Sequence, residues 1–396
     1  MSKKKVFLLV ILLIVFIFFS VVILKKVRTN EGIVFKSNLK IEFRDEVYIN
    51  ELIESIDGEL VDNFKIDTNE VGFFNLDVKF KNKYGFTVSR DINVEIIDVT
   101  PPVVIVNNPY KVVKGSITNL LDSIFCADNY DDLISCNISG DYDLERIGKY
   151  NLVISASDNS GNITEKEFVL DIIEKKNNNN YSGGVYTYTD FREIYNKYKN
   201  EDTEVGLDIS KWQGDVNYSK LKEQGVDFVM IKIGGQTEIG GEFKLDPRFY
   251  DNIKGAIDND IKVGVYFYSY AKSVDEAIKQ ADWIHDKLEG YNINMPIVFD
   301  WENWGKFTMF HISFHTLNKV ATGFIDRVES MGYDGVLYSS KYFLVNIWYK
   351  DEYINWLAYY NDEFDNYKDY YMWQMCSDGK IDGIDGYVDI DIRYKG

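Results

Sequence analysis

The stretch Pro296-Ile-Val-Phe-Asp-Trp-Glu302 decides the reading of the fold. A short apolar run that ends in acids reads as a strand buried on both faces whose last residues emerge at an edge. Working outward from it, similar short apolar runs occur at 205–209, 228–233, 262–268, 335–338, 356–360, 371–375 and 388–392. Helical periodicity fills several gaps between them, at 247–258, 274–288 and 316–331. Near-continuous apolar strands alternating with helices predict a parallel sheet covered by helices. Eight strand candidates predict a (β/α)8-like barrel over 204–396, although the later connections are too short for full helices.

In such a barrel, chemistry is built at the C-terminal ends of the strands. Asp208 closes the first strand candidate, Asp300 and Glu302 close the fourth, and Asp389 and Asp391 lie in the last. Strand alternation puts Asp300 and Glu302 on the same side. Two carboxylates so close resist ionising together, which raises one pKa and keeps a proton available. Carboxylates without His, Cys or Lys partners predict glycoside hydrolysis, in which one acid protonates the leaving oxygen and another carboxylate stabilises positive charge on the sugar. The catalytic set expected is Glu302, Asp300, Asp208 and Asp389. Aromatic residues near the strand ends, Tyr266, Tyr268, Trp301, Tyr338, Trp356 and Trp373, are expected to bind sugar rings, and Trp212, just past the first strand candidate, is a further stacking platform.

No metal or cofactor is expected. His285, His311 and His315 fall in helical stretches away from the strand ends, and the i, i+4 pair His311 and His315 has no evident third ligand. The Asp/Gly-rich segment 376–386 lacks the ligand spacing and closing Glu of an EF-hand. The glycines around Gly234-Gly235 lack the helix-opening pattern of a phosphate loop.

Upstream of the barrel the chain repeats itself. An offset of 76 residues lays Val71-Gly72, Asn75-Leu76 and Gly85 on Ile147-Gly148, Asn151-Leu152 and Gly161. Both copies alternate apolar and polar residues across a turn, as hairpins of small antiparallel domains do. The segment from Gly148 to Asn162 resembles bacterial immunoglobulin-like repeats, which implies two all-β sandwiches, at 33–99 and 100–174, acting as spacers. Thr100-Pro-Pro102 punctuates their boundary, and 175–203 reads as a polar linker.

Residues 6–24 form a 19-residue run without a charge, flanked by Lys3, Lys4 and Lys5 and by Lys25, Lys26 and Arg28. Such a run is long enough to cross a bilayer core of about 30 Å, so 1–28 is expected to be an uncleaved transmembrane anchor with the later domains outside the cell. The 396-residue chain has a formal charge of −19, which argues against nucleic acid as a partner. With three cysteines there is no disulfide scaffold; Cys126 and Cys136 are close enough to pair or to be small buried hydrophobes.

The ordered motifs Gly206-Leu-Asp-Ile-Ser-Lys-Trp-Gln-Gly-Asp215, Gly225-Val-Asp-Phe-Val-Met-Ile-Lys232, Gly264-Val-Tyr-Phe-Tyr-Ser269, Pro296 to Glu302, Trp356-Leu-Ala-Tyr-Tyr360 and Trp373-Gln374 resemble the family 25 glycoside hydrolases, the N-acetylmuramidases. The resemblance covers nearly half of the chain. It implies cleavage of the β-1,4 bond between N-acetylmuramic acid and N-acetylglucosamine in peptidoglycan, with retention. By position, Glu302 matches the general acid and Asp300 the carboxylate beside it, acting as nucleophile or by orienting the substrate's own N-acetyl group. Asp208 and Asp389 match the remaining acids. The alternatives are an inactive glycan-binding barrel and a glycosidase of chitin-like specificity; against the latter, Val298 stands where the family 18 chitinase motif has its middle acid.

Overall fold

Strand alternation sorts the C-terminal residues into two cores, one inside a barrel and one around it. The protein's structure, a computed structural model, describes residues 11–22, 32–175, 188–361, 364 and 369–395. The chain divides into two compact units, Met1–Thr100 and Pro101–Gly396.

Eight strands form the barrel: β14 (Thr203–Ile209), β15 (Phe228–Gln236), β17 (Lys262–Tyr268), β18 (Ile297–Asp300), β19 (Gly335–Ser340), β20 (Asn355–Ala358), β21 (Met372–Lys380) and β22 (Val388–Tyr394); the short β16 (Phe243–Leu245) pairs with β15 outside the ring. Each pairs in parallel with the next as far as β21. β22 then closes the ring antiparallel to both β21 and β14. The reason lies in the connection: residues 381–387 suffice for a hairpin, whereas a parallel crossover needs a dozen or more. Phe228, Met230, Tyr266, Val298, Val336, Tyr338, Trp356 and Met372 fill the interior. Their strand neighbours, such as Val229, Ile231, Phe267, Phe299 and Leu337, face the helices Phe249–Asp258, Val274–Lys287 and Phe314–Ser330. Ser273 and Ser313 cap the last two, accepting from the amides of Glu276 and Thr316. The expected linker at 175–203 is partly structured. β13 (Thr189–Asp190) pairs with β21, and the helix Phe191–Tyr198 buries Phe191 and Ile194 on the barrel's outer core.

The two copies of the repeat share one topology. The first comprises β1 (Ile33–Phe35), β2 (Lys40–Glu42), β3 (Ile53–Ile56), β4 (Gly58–Leu60), β5 (Gly72–Asn82) and β6 (Thr87–Ile97). The second comprises β7 (Val103–Ile105), β8 (Tyr110–Val113), β9 (Phe125–Ala127), β10 (Ser135–Ser139), β11 (Gly148–Ser157) and β12 (Ile163–Ile173). In each, the first and third strands form a two-stranded ladder, while the second, sixth, fifth and fourth form a sheet in that order. Gly85 and Gly161 hold φ of +80° and +92° at the matching hairpin turns, where glycine adopts the left-handed region at no steric cost. The buried Val78, Phe80, Val94 and Ile96 find their counterparts in Ile154, Ala156, Leu170 and Ile172.

The expected fold class is corrected in two places. Residues 11–22 are helical, and among the described residues no helix is long and apolar enough to cross a membrane. The remainder of the expected 6–24 span lies outside the described residues. The transmembrane anchor, its lipid-bilayer partner and the single-pass membrane location are therefore withdrawn. Immunoglobulin-like sandwiches are likewise unsupported, because ladders of three- and four-residue strands do not make a second full sheet opposite each four-stranded one.

The second repeat is fastened to the barrel. Phe125 packs on Phe307 and Phe314, with ring centroids 5.2 and 6.1 Å apart. Thr308 Oγ1 donates to the Ile124 carbonyl and accepts from the Cys126 amide. The amides of Phe314 and His315 donate to the carbonyls of Asp128 and Asn129. Asp132 accepts from the Ser313 amide and hydroxyl, both at 2.8 Å. His315 is buried here and stacks on Tyr130. Cys126 and Cys136 form a disulfide between β9 and β10; Cys376 is free and buried.

Candidate active site

The barrel mouth at the C-terminal ends of the parallel strands gathers carboxylates from strands far apart in sequence. Asp208 leaves β14 directly opposite Asp389 of β22 in the antiparallel register. Since β22 runs the other way, Asp389 reaches this mouth from the start of its strand, not its end. Asp300 ends β18 between Tyr268 of β17 and Tyr338 of β19. Asp300 is buried, and Glu302, two residues on, reaches into an open cavity of about 250 Å³.

Among the residues that line this cavity are Asp208, Asp300, Glu302, Asp389, Tyr266, Tyr268, Tyr338 and Trp356, eight of the ten site residues expected from sequence. The other two are turned away. Trp301 follows Asp300 on the opposite strand face; it is fully buried among Trp304, Phe307 and Phe310 and donates from Nε1 to the Ala271 carbonyl. Trp373 is buried in the outer core against Tyr198 and donates to the Tyr359 carbonyl. Both rings are spent on packing and are not available to a sugar.

Three lining residues escaped the sequence reading: Lys232, Gln374 and Tyr360. The Lys232 ammonium lies 4.8 Å from the Tyr268 ring centre and 5.7 Å from that of Tyr266. Its signal was a lone cation inside the apolar run Phe228-Val-Met-Ile-Lys-Ile233. The buried Gln374 donates from Nε2 to Asp389 at 3.0 Å and to Asp208 at 3.3 Å, while its Oε1 accepts from the hydroxyls of Tyr338 and Tyr360. It thereby ties the two carboxylates of the barrel seam to two tyrosines.

The electrostatics follow from crowding. Asp208 is pushed well above the usual carboxylate range by burial and then by Asp389. Burial, then the Glu302 charge, does the same to Asp300. Glu302 is raised by burial, offset in part by a hydrogen bond with Asp300 and by Lys232. Asp389 is pushed up to about 6 by burial and by Glu302. Below them Asp391, fully buried inside the barrel, accepts from Trp356 Nε1 at 3.0 Å and is raised by burial, then by Asp208 and Asp389. Against five carboxylates the cavity lining supplies one ammonium, so the site holds protons that a solvated cluster would lose. Proton-bearing carboxylates beside ionised ones, walled by aromatic rings, form an acid–base pair suited to a glycosidic bond.

The model of the glycosyl hydrolases family 25 matches residues 207–384. An uncharacterized protein YegX of Escherichia coli (strain K12) is 31% identical over 197 residues, covering 47% of this chain and 68% of that protein. An autolytic lysozyme of Clostridium acetobutylicum is 27% identical over 196 residues, covering 48% of this chain and 56% of its own length. Among solved structures, the modular autolysin LytC from Streptococcus pneumoniae, in complex with a synthetic peptidoglycan ligand, is 24% identical with a TM-score of 0.42, covering 61% of this chain and 56% of that one. The matched span carries Asp208, Asp300 and Glu302 of the mouth, while Asp389 on β22 lies beyond it, and the chain belongs to the glycosyl hydrolases family 25, a glycoside hydrolase of the lysozyme type.

Proposed function

We propose that the protein hydrolyses peptidoglycan by cutting the β-1,4 bond from N-acetylmuramic acid to N-acetylglucosamine, with Glu302 as general acid and retention at the anomeric carbon. The observation that carries this reading is the Asp300–Glu302 pair, two carboxylates with raised pKa values joined by a hydrogen bond at one end of β18. In the free site the pair shares a proton. As positive charge develops on the sugar, an ionised Asp300 becomes favourable, and the proton passes to Glu302 for delivery to the leaving oxygen. Asp300 then stabilises the oxocarbenium-like centre, directly or by orienting the substrate's N-acetyl group. Asp208 and Asp389, held by Gln374, fix the opposite wall, and Lys232 limits the negative charge that the cluster must bear. Tyr266, Tyr268, Tyr338 and Trp356 give the sugars their aromatic boundary.

The test uses the full chain and purified peptidoglycan, with released ends reduced and identified by mass spectrometry. Muramic acid at the new reducing ends is expected, and Glu302→Gln should reduce its release by about 10²- to 10⁴-fold, the usual worth of a positioned acid. Glucosaminyl reducing ends would move the specificity. Wall binding without release would favour an inactive glycan-binding barrel.

A further inference from the structure

Beside the catalytic cavity lies a second one, of about 300 Å³, which shares Lys232 and Tyr268 with it. Its walls add Lys211, Trp212, Gly235 and Lys244. Trp212 is 77% exposed, unusual for so large a ring, and the Lys211 ammonium stands 4.9 Å from its ring centre. The one carboxylate in the lining, Asp246, is buried and accepts the backbone amides of Lys211 and Arg248, so its charge is already engaged. Among the described residues neither Lys211 nor Lys244 has a carboxylate within ion-pairing distance, whereas several other lysines are paired. With the shared Lys232 they make three ammonium groups around one cavity, which is conspicuous in a chain of net charge −19.

Resting on the peptidoglycan reading above, we infer that this second cavity receives the anionic peptide stem of a muramyl residue next to the scissile bond, with Lys211 and Lys244 facing the stem's carboxylates. Unmodified glycan hydroxyls and N-acetyl groups are neutral; the charge of the polymer resides in its lactyl-linked peptides. A strand lying in the catalytic cavity would direct such a peptide away from the carboxylates of the mouth, which repel it, and toward the ammonium groups of the second cavity, Lys211, Lys244 and the shared Lys232. The cavity thus separates two tasks, with sugars held among carboxylates and aromatics and the acidic peptide held between lysines.

The test measures binding by calorimetry at low salt, using the full chain with Glu302→Gln to prevent turnover. The probes are an N-acetylglucosaminyl-N-acetylmuramyl disaccharide carrying its stem peptide and the same disaccharide without it. Lys211→Gln with Lys244→Gln should weaken the stem-bearing probe about fivefold, as expected for two exposed ion pairs, and leave the peptide-free probe unchanged. Raising the salt should close that gap, and Lys211→Arg with Lys244→Arg should restore affinity. Equal binding of the two probes by the parent protein, or equal loss for both in the Gln variant, would overturn the inference and make the cavity a sugar subsite or no subsite. The hydrolysis reading fails separately, if the wild-type chain releases no muramic acid ends.

Discussion

The two β-repeats have the same strand order and the same hairpin glycines, yet they serve the chain differently. The first makes a unit by itself, while the second is part of the barrel's unit. Their cores do not explain this, since both bury the same faces of the same strands. The difference lies in one segment, from Ile124 to Asp132, which presents Phe125, two backbone carbonyls and the Asp132 carboxylate to the residues that follow Glu302. It is also the segment that the Cys126–Cys136 disulfide clamps to the neighbouring sheet. A repeated fold is therefore no guide to a repeated role; a few contact residues convert a would-be spacer into a brace for the segment that follows Glu302.

Deletion separates the two repeats most clearly. Removing residues 1–100 should leave the melting temperature and turnover of the remainder unchanged, whereas removing residues 1–174 should lower both, because Phe307 and Phe314 lose their cover. Calorimetry and peptidoglycan release on both truncations decide it, and equal behaviour would dissolve the distinction. Single substitutions sharpen it. Phe125→Ala should cost about 3 kcal/mol of the barrel unit's stability in denaturant titrations, the usual penalty for truncating a buried aromatic. Ile49→Ala, at a fully buried site of the first unit, should cost about 2 kcal/mol there without moving the barrel's transition. Thr308→Val should cost about 1 kcal/mol through the lost hydrogen bonds to β9.

The smallest expected effect is on pH dependence. Carboxylates in the unfolded chain titrate near 4. Asp389 titrates at about 6 in the fold, and Asp208 and Asp300 are raised as well. The folded barrel thus binds these protons more tightly than the unfolded chain does. That stabilisation is complete below about pH 4 and is lost as pH rises through about 6. Melting of the second unit should therefore rise from pH 8 to pH 5 beyond any shift in the first, and Asp389→Asn should flatten the difference.

Much of the site was legible because the barrel's geometry is periodic. Asp208, Asp300 and Glu302 stand where apolar runs stop, and alternation alone puts the last two on one face. The same alternation turns Trp301 outward, a consequence that an eye for aromatic residues passed over. Lys232 and Gln374 were harder to recognise, because their role depends on which strands become neighbours across the ring, and no local pattern encodes that. The direction of β22 departs from the expected parallel sheet, because the short connection 381–387 turns the last strand back against β21. At the N-terminus, apolar composition suggested a membrane span, and among the described residues no helix is long and apolar enough to make one.

The antiparallel closure by β22 places half of one carboxylate pair on the barrel's first strand and half on its last, 181 residues apart. A local opening of the β14–β22 seam would part Asp208 from Asp389 while the other strands stay paired. With the roles proposed for these two acids, catalysis would then stop before the protein unfolds, and enzymatic activity would double as a gauge of whether the ring is shut.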